Sequence, residues 1–412
     1  MQIYLVGGAV RDQLLNIQLK DRDFVVVGAT PKQMLQQGFQ RVGQDFPVFL
    51  HPTTQEEHAL ARTERKKGQG YTGFECFFDP DVTLTQDLQR RDLTINAMAQ
   101  GHNGEIIDPY GGQQDIQKRL LRHVSPAFAE DPLRVLRVAR FAARFAHLGF
   151  EVAPETLTLM QNISHSGELR FLTPERVWQE LSGALMSPSP SRFFEVLKQC
   201  GALAEVLPEL NNLFGVPGPK RWHPEIDTGI HTLMVVEQAA LLSDELAVRF
   251  SALCHDFGKA LTPAELWPSH KHHGSKGLPL IKAVCDRFKV PNHCRDLALM
   301  MSQQHCQIHH IYELDSAGLL AIFEQTDAWR KPARFEQLLL ACKADLTGRL
   351  GFEDKPYEEA DYCRQAYQVA AGIAVQPIVQ GGFKGAEIKQ ELNRQRQQAL
   401  QAFIEQKQKQ PQ

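Results

Sequence analysis

The sequence predicts a multidomain α+β protein: a mixed sheet confined to about the first 125 residues, then helices to the end. Three observations carry this. A chain of 412 residues exceeds one ordinary hydrophobic core, so two to four domains are expected. Short β-rich runs (IYLVGG, DFVVVG, FPVFLH, EIIDPYGG), divided by Gly, Pro and Asp turns, stop near residue 125. Helical periodicity then takes over in AEDPLRVLRVARFAARFAHLGF, PERVWQELSGALM and PSRFFEVLKQCGALAEVL.

In order, these give a head over residues 1–125, a helical neck and body over 126–215, a histidine-rich helical segment over 216–350, and a helical tail over 351–412. The stretch FGVPGPKRWHPEIDTG (214–229) reads as a linker or surface loop. The tail ends in a polar, Gln-rich amphipathic helix.

Composition excludes classes more than it selects one. Hydrophobic residues make up 43% and charged residues 23%, as in ordinary globular proteins. A net charge of −3 gives no global attraction to nucleic acid, so a polyanion must meet local basic patches. No apolar run approaches the roughly 18 residues of a membrane span, and no leader pattern is seen. Eight scattered cysteines without a CxxC pair fit reduced thiols in the cytoplasm. No membrane partner is expected, and the chain reads as a monomer or homodimer.

In the head, LVGGAVRDQLLNIQLKDRDFVVVG places Asp21 and Asp23 at the mouth of an apolar strand. Residues two apart in a strand share a face, so both carboxylates would lie on one side. Mg²⁺ is typically held by one or two carboxylates together with substrate phosphates. The Gly7–Gly8 turn offers backbone N–H groups and Arg11 follows one turn on, both suited to phosphate oxygens. A DxD pair alone is common on surfaces. GG, VRD and DxD within 17 residues are much less so.

RRDLTINAMA places Arg90, Arg91 and Asp92 just before an expected helix, where an arginine could take a triphosphate or ribose. DPYGGQQDI (108–116) reads as an architectural turn. In EDPLRVLRVARFAARF, Val135, Leu136, Ala139, Ala142 and Ala143 share one face. Arg137, Arg140 and Arg144 gather opposite them, and Asp131 and Arg134 lie along the border. Such a stripe is usually a solvated basic face, but Asp131 and Arg134 side by side also suit hydrogen bonding to a base edge.

The combination LVGGAVRD…DRD, RRDLTINA, DPYGG and EDPLRVLRVARF resembles the bacterial-type (class II) tRNA nucleotidyltransferases, the CCA-adding enzymes, over roughly the first half of the chain. The resemblance implies a nucleotidyltransferase-type mixed β-sheet head with Asp21 and Asp23 binding catalytic Mg²⁺. It implies that Gly8, Arg11, Arg91, Arg137 and Arg140 contact the incoming CTP or ATP, and that Asp131 and Arg134 serve as an amino-acid template. The reaction would be attack of the tRNA 3′-hydroxyl on the α-phosphate, releasing pyrophosphate. Glu64, Asp92 and Asp108 are each available as a third carboxylate. ARTERKKGQGYTG (61–73) reads either as a mobile loop that helps switch from C to A or as an ordinary solvated loop.

A second constellation follows in GIHTLMVVEQ, ALCHDFGK and LLLACKADLTGR. Imidazole with carboxylate suits transition metals more than Ca²⁺. The order resembles the HD-domain phosphohydrolases, which implies a metal site of His231, His255, Asp256 and Asp345, with a metal such as Ni²⁺, Mn²⁺ or Zn²⁺. His273 and His305 are possible additional ligands or phosphate contacts, and His309 and His310 read as surface residues. An HD domain behind such a head is similar to one branch of the CCA-adding family. That branch implies phosphatase, 2′,3′-cyclic phosphodiesterase and 2′-nucleotidase activity, hence tRNA 3′-end repair. A poly(A) polymerase, or an enzyme adding only CC or only A, would share every head motif.

Overall fold

A computed structural model describes residues 1–19, 21–42, 48–66, 74–221 and 224–409, with the side chains at 64–66 and 74–76 outside that description. The loop expected at 61–73 therefore lies outside the described residues from 67 onward, as does the Glu64 side chain. The chain divides into two compact units, Met1–Val206 and Leu207–Gln412.

The first unit carries strands β1 (Gln2–Val6), β2 (Asp23–Val27), β3 (Gln40–Arg41), β4 (Val48–Leu50), β5 (Glu57–Leu60), β6 (Thr63–Lys66), β7 (Phe74–Phe77), β8 (Ala99–Gln100), β9 (Ile106–Ile107), β10 (Leu120–Leu121) and β11 (Glu151–Val152). Among the described residues, seven of them form one sheet in the order β3-β4-β5-β2-β1-β8-β9. Only the β2–β5 pairing in that sheet is parallel, which makes it mixed. The run DFVVV works because both faces of β2 are covered. Val25 packs with Val6, Leu88, Ala97 and Ala99 on one side, while Val26 packs with Met34, Phe39, Phe49 and Leu60 on the other.

The helices of this unit are α1 (Gly8–Leu14), α2 (Pro31–Gln36), α3 (Leu84–Gln89), α4 (Gly112–Lys118), α5 (Leu133–Phe145), α6 (Pro154–His165), α7 (Pro174–Leu185), α8 (Ser191–Gln199) and α9 (Ala202–Val206). Thr30 and Thr83 close capping boxes at the starts of α2 and α3. The DPYGG turn is architectural, as read: Asp108 accepts from the backbone N–H of Gly112 (2.7 Å) and Gln113 (2.9 Å), fixing the start of α4. Helix α5 departs from the two-faced expectation. Leu133, Arg134, Val138, Phe141 and Phe145 are buried along with the expected face, because α7 and α8 both pack on this helix.

The second unit is helical among its described residues: α10 (Pro208–Asn211), α11 (Thr228–Leu242), α12 (Leu246–Cys254), α13 (His273–Phe288), α14 (Asn292–His309), α15 (Ser316–Gln325), α16 (Pro332–Thr347), α17 (Glu358–Ala371), α18 (Gln376–Gln380) and α19 (Ala386–Lys409). Asp227 caps α11 by accepting from Ile230 N–H (2.9 Å). Helices α11, α12, α14 and α16 pack on one another and form the core of this unit. At Gly258, in the HDFGK turn, a Cβ would overlap the backbone carbonyl of His273. Only glycine lets that turn rest against the start of α13. Among the described residues no helix is long and apolar enough to cross a membrane, and the seven described cysteines are free thiols.

Candidate functional site

In the first unit, antiparallel register pairs Val6 with Asp23, which sets the Asp23 carboxylate beside the Gly7–Gly8 reversal. Gly7 has φ 70°, and a Cβ there would stand 2.8 Å from Arg91 Nη1. Glycine therefore serves both the turn and the close approach of Arg91. Gly7, Gly8, Asp23 and Arg91 face the arginines of α5 across a cavity of about 560 Å³. Its described lining holds nine arginines and three aspartates. That surplus of guanidinium groups is self-repelling until a polyanion enters.

Eight of these arginines are held by a carboxylate, a carbonyl or a ring. Asp87 is fully buried and pairs with Arg90 (2.8 Å) and Arg91 (3.2 Å). Burial alone would raise its pKa, but the two arginines hold it below the usual range. Asp92 is likewise held low, against burial, by Arg137 (2.7 Å) and the Asn96 amide (3.0 Å). Arg11 is buried, bonds Asp12 and Asn96, and lies 5.3 and 5.0 Å from the ring centroids of Phe141 and Phe145. Arg144 reaches Asp12 (2.9 Å), and Arg140 reaches Glu180 on α7 (2.5 Å).

Asp131 accepts from Arg176 (2.8 Å), and Arg134 donates to the carbonyls of Ala127 (2.9 Å) and Arg90 (2.5 Å). Asp131, Arg134, Arg137, Arg140 and Arg144 therefore line the cavity together instead of forming a solvated face.

Three expectations change here. Strand β2 begins at Asp23, so exposed Asp21 precedes it and the two-residue strand spacing does not describe the pair. The Asp23 pKa is raised by partial desolvation and by Asp21, against the pull of Arg91. The segment Arg90–Asp92 closes α3 and leads into a short 3-10 turn (Thr94–Asn96), not into a helix. Of the three carboxylates left open for a third metal contact, Asp92 is committed to Arg137 and Asp108 to the α4 start.

In the second unit, α11, the end of α12 and α16 bring His231, His255, Asp256 and Asp345 together, each almost fully buried. His231 Nε2 lies 3.1 Å from Asp345 Oδ1 and 4.0 Å from Asp256 Oδ2. His255 Nε2 lies 3.2 Å from Asp256 Oδ2 and 3.8 Å from Asp345 Oδ1. Both aspartates are held well below the usual carboxylate range against burial, Asp256 by His255 and Lys259, Asp345 by His309 and Arg349.

The donor set fits a transition metal, and one atom makes the case. His255 Nδ1 faces the Ala252 carbonyl (2.8 Å), so that nitrogen carries the proton. Nε2 is then an inward-facing lone pair, buried without a hydrogen-bond partner. His231 has the matching support, with Nδ1 3.0 Å from Glu225.

His309 is not a surface residue. It is largely buried, with Nε2 2.7 Å from Asp345 Oδ2 and Nδ1 3.0 Å from the Tyr357 hydroxyl. His310 is exposed, as expected. His273 and His305 join the cluster, with Nε2 atoms 3.2 and 3.8 Å from Asp256 Oδ1.

Three family models match the chain: a poly(A) polymerase head domain over residues 3–122, a probable RNA- and SrmB-binding site of polymerase A over 149–214, and an HD domain over 228–345. The multifunctional CCA protein of Psychromonas ingrahamii is 61% identical over 403 residues, 98% of both chains. The chain belongs to the multifunctional CCA protein family.

At the level of fold, the family assignment agrees with solved structures that are far less similar in sequence. The Thermotoga maritima CCA-adding enzyme complexed with tRNA matches with a TM-score of 0.63 at 18% identity, covering 97% of this chain and 87% of that one. The Bacillus stearothermophilus CCA-adding enzyme in complex with CTP matches with a TM-score of 0.63 at 21% identity, covering 97% and 89%. Within the family frame, the residues not anticipated from sequence are partners: Asp12, Asp87, Asn96, Arg176 and Glu180 around the cavity, and Glu225, His309 and Tyr357 around the cluster. One signal was available for His309, since His305 and His309 are four apart and share a helix face.

Proposed function

We propose that this chain adds C, C and A to tRNA 3′ ends from CTP and ATP without a nucleic-acid template, and that its second unit is a metal-dependent phosphohydrolase. The observation that carries the first part is the arginine-rich cavity closing on Asp23 beside a backbone turn. A triphosphate neutralises the crowded guanidinium groups, and Asp21 with Asp23 holds Mg²⁺ against it. Bound Mg²⁺ would screen the phosphate charge and make the 3′-hydroxyl a better nucleophile.

Gly8, Arg11, Arg91, Arg137 and Arg140 receive the nucleotide, and Asp131 with Arg134 reads its base edge. Support for that template role comes from the rigidity of Arg134, whose guanidinium is pinned by two backbone carbonyls. In the second unit His231, His255, Asp256 and Asp345 hold a transition metal such as Ni²⁺, Mn²⁺ or Zn²⁺. The activities assigned there are 2′,3′-cyclic phosphodiesterase, phosphatase and 2′-nucleotidase. A tRNA ending in a cyclic phosphate has no free 3′-hydroxyl, so one chain in the cytoplasm clears the end and rebuilds it. The divisions 1–125, 126–215, 216–350 and 351–412 remain the functional segments of this reading.

The test supplies tRNA lacking CCA, Mg²⁺, and labelled CTP and ATP separately and together, with products sized to one nucleotide. Two C from CTP alone, then one A and a stop, is the expected result. A long A ladder, or addition limited to one nucleotide type, would move the assignment to a poly(A) polymerase or a partial enzyme. The hydrolase half fails if His255→Ala with Asp256→Ala leaves hydrolysis of a cyclic-phosphate end unchanged.

A further inference from the structure

We infer that the loop joining α16 to α17 is a base-binding shelf: the last base of an RNA end stacks on Phe352, and its phosphate lies deeper in the same cavity. This rests on the reading of the second unit as a phosphohydrolase and says how that unit grips a nucleotide.

The run GRLGFEDKPY is mostly polar, so hydrogen bonds rather than apolar packing must fix its path. At its start the Leu350 N–H donates to Glu225 (3.3 Å), and Gly351 turns the chain with φ 80°. The Phe352 N–H then donates to the Arg349 carbonyl (2.9 Å), and the Lys355 N–H donates to the Phe352 carbonyl (3.0 Å). At its end Tyr357 is buried, with its hydroxyl 3.0 Å from His309 Nδ1. These bonds hold Phe352 half-buried on the wall of a cavity of about 600 Å³.

A single half-buried phenylalanine is ordinary by itself. What surrounds this one is not. Its ring face carries the ammonium of exposed Lys355, with Nζ 4.5 Å from the centroid, instead of packed core. A flat ligand can therefore displace what covers it. The same cavity runs on to Asp345 and Lys259, so an aromatic wall and the proposed reacting centre share one enclosure of nucleotide size.

Arg349 lines that enclosure too, at 8% exposure. Its Nη2 lies 3.5 Å from Asp345 Oδ1, and its Nε is buried without a hydrogen-bond partner. A buried donor left unspent is costly until an anionic oxygen meets it. Ring and guanidinium together suit the two ends of a nucleotide, base on Phe352 and phosphate at Arg349. Stacking engages the π-face that every base has, so the shelf accepts RNA ends whatever their last base.

The test uses the full-length protein, supplied in turn with Ni²⁺, Mn²⁺ and Zn²⁺, and two substrates that share a reacting group. One is 2′,3′-cyclic AMP; the other, methyl riboside 2′,3′-cyclic phosphate, has no base. Phe352→Ala should lower kcat/KM for 2′,3′-cyclic AMP about 5- to 150-fold, mostly through KM, and leave the base-free ester unchanged. Phe352→Trp should keep the parent KM. Phe352→Leu repeats the comparison with apolar bulk retained, in case Phe352→Ala slackens the loop. Equilibrium dialysis of labelled 2′,3′-cyclic AMP against the chelator-stripped protein should show the same Phe352-dependent loss without turnover. Equal losses on both substrates, or no loss on either, would overturn the shelf and leave the hydrolase reading intact. Phe352-dependent binding with no hydrolysis by the metal-loaded parent would keep the shelf and overturn the hydrolase reading. A folded parent that neither binds nor hydrolyses would overturn both.

Discussion

Glu180 offers the sharpest test of how the arginine-lined cavity is built and of the nucleotide role proposed for it. It sits on α7 with a side chain 5% exposed, 2.5 Å from Arg140 Nε and 3.8 Å from Arg137 Nη1, and so aims both guanidinium groups from behind. Glu180→Gln keeps the shape and one acceptor oxygen but removes the charge. A hydrogen bond to a charged group contributes about 1.5–3 kcal/mol. Arg140 and Arg137 are 22% and 36% exposed, so water replaces part of the loss and about 1–2 kcal/mol is the reasonable figure. That corresponds to roughly a 5- to 30-fold change in an equilibrium.

Single-turnover extension with varied nucleotide should show CTP and ATP affinities weakened together by that factor. Affinity for tRNA and the order of addition should be unchanged. The far-ultraviolet spectrum serves as the check on folding. Unchanged nucleotide affinity in a folded variant would refute the reasoning. The stacking of Arg140 on Phe141, with the guanidinium 4.9 Å from the ring centroid, would then be what positions it.

Two further outcomes follow from the same cavity. Asp87→Ala strips the charge partner from Arg90 and Arg91 in a fully buried place, a loss of about 3–5 kcal/mol. Thermal unfolding of the first unit should fall by roughly 6–20 °C. Because the Asp87 pKa is depressed in the fold, its stabilisation is present above the ordinary aspartate value of about 3.9 and is lost as pH falls through the lower folded value. The variant should lack that part of the acid-unfolding limb, and a matching acid profile would count against it. Gly7→Ala meets both a positive φ and Arg91 Nη1, so it should cost about 1–3 kcal/mol in strain and weaken nucleotide binding. Full nucleotide affinity in that variant would show that Arg91 is not held against the turn.

Much of the head was legible because its chemistry is local. Gly7, Gly8, Arg11 and Asp23 lie within one strand–turn–helix–strand passage, and strand pairing alone brings Asp23 back to the turn. The misreadings have a common cause, which is contact across long sequence distance. Helix α5 has a clear apolar stripe, yet Arg134 is buried because backbone carbonyls of Ala127 and Arg90 receive it. Glu180 is 40 residues from Arg140, and nothing in PERVWQEL announces that partner. From sequence His309 reads as a surface residue, and its burial follows from Asp345 and Tyr357 closing over it.

The carbonyls that fix the imidazoles of His255, His273 and His305 belong to Ala252, His270 and Met301, three or four residues upstream in each case. Metal affinity is thereby tied to intact helix ends and turns, because a chain without them loses the tautomer along with the position. An ion that binds only the folded form, present at 100 times its dissociation constant, adds about 2.7 kcal/mol to the unfolding free energy. A metal held there as proposed would therefore stabilise the fold of the second unit as well as serve the reaction, and chelation should lower its melting temperature before any substrate is supplied.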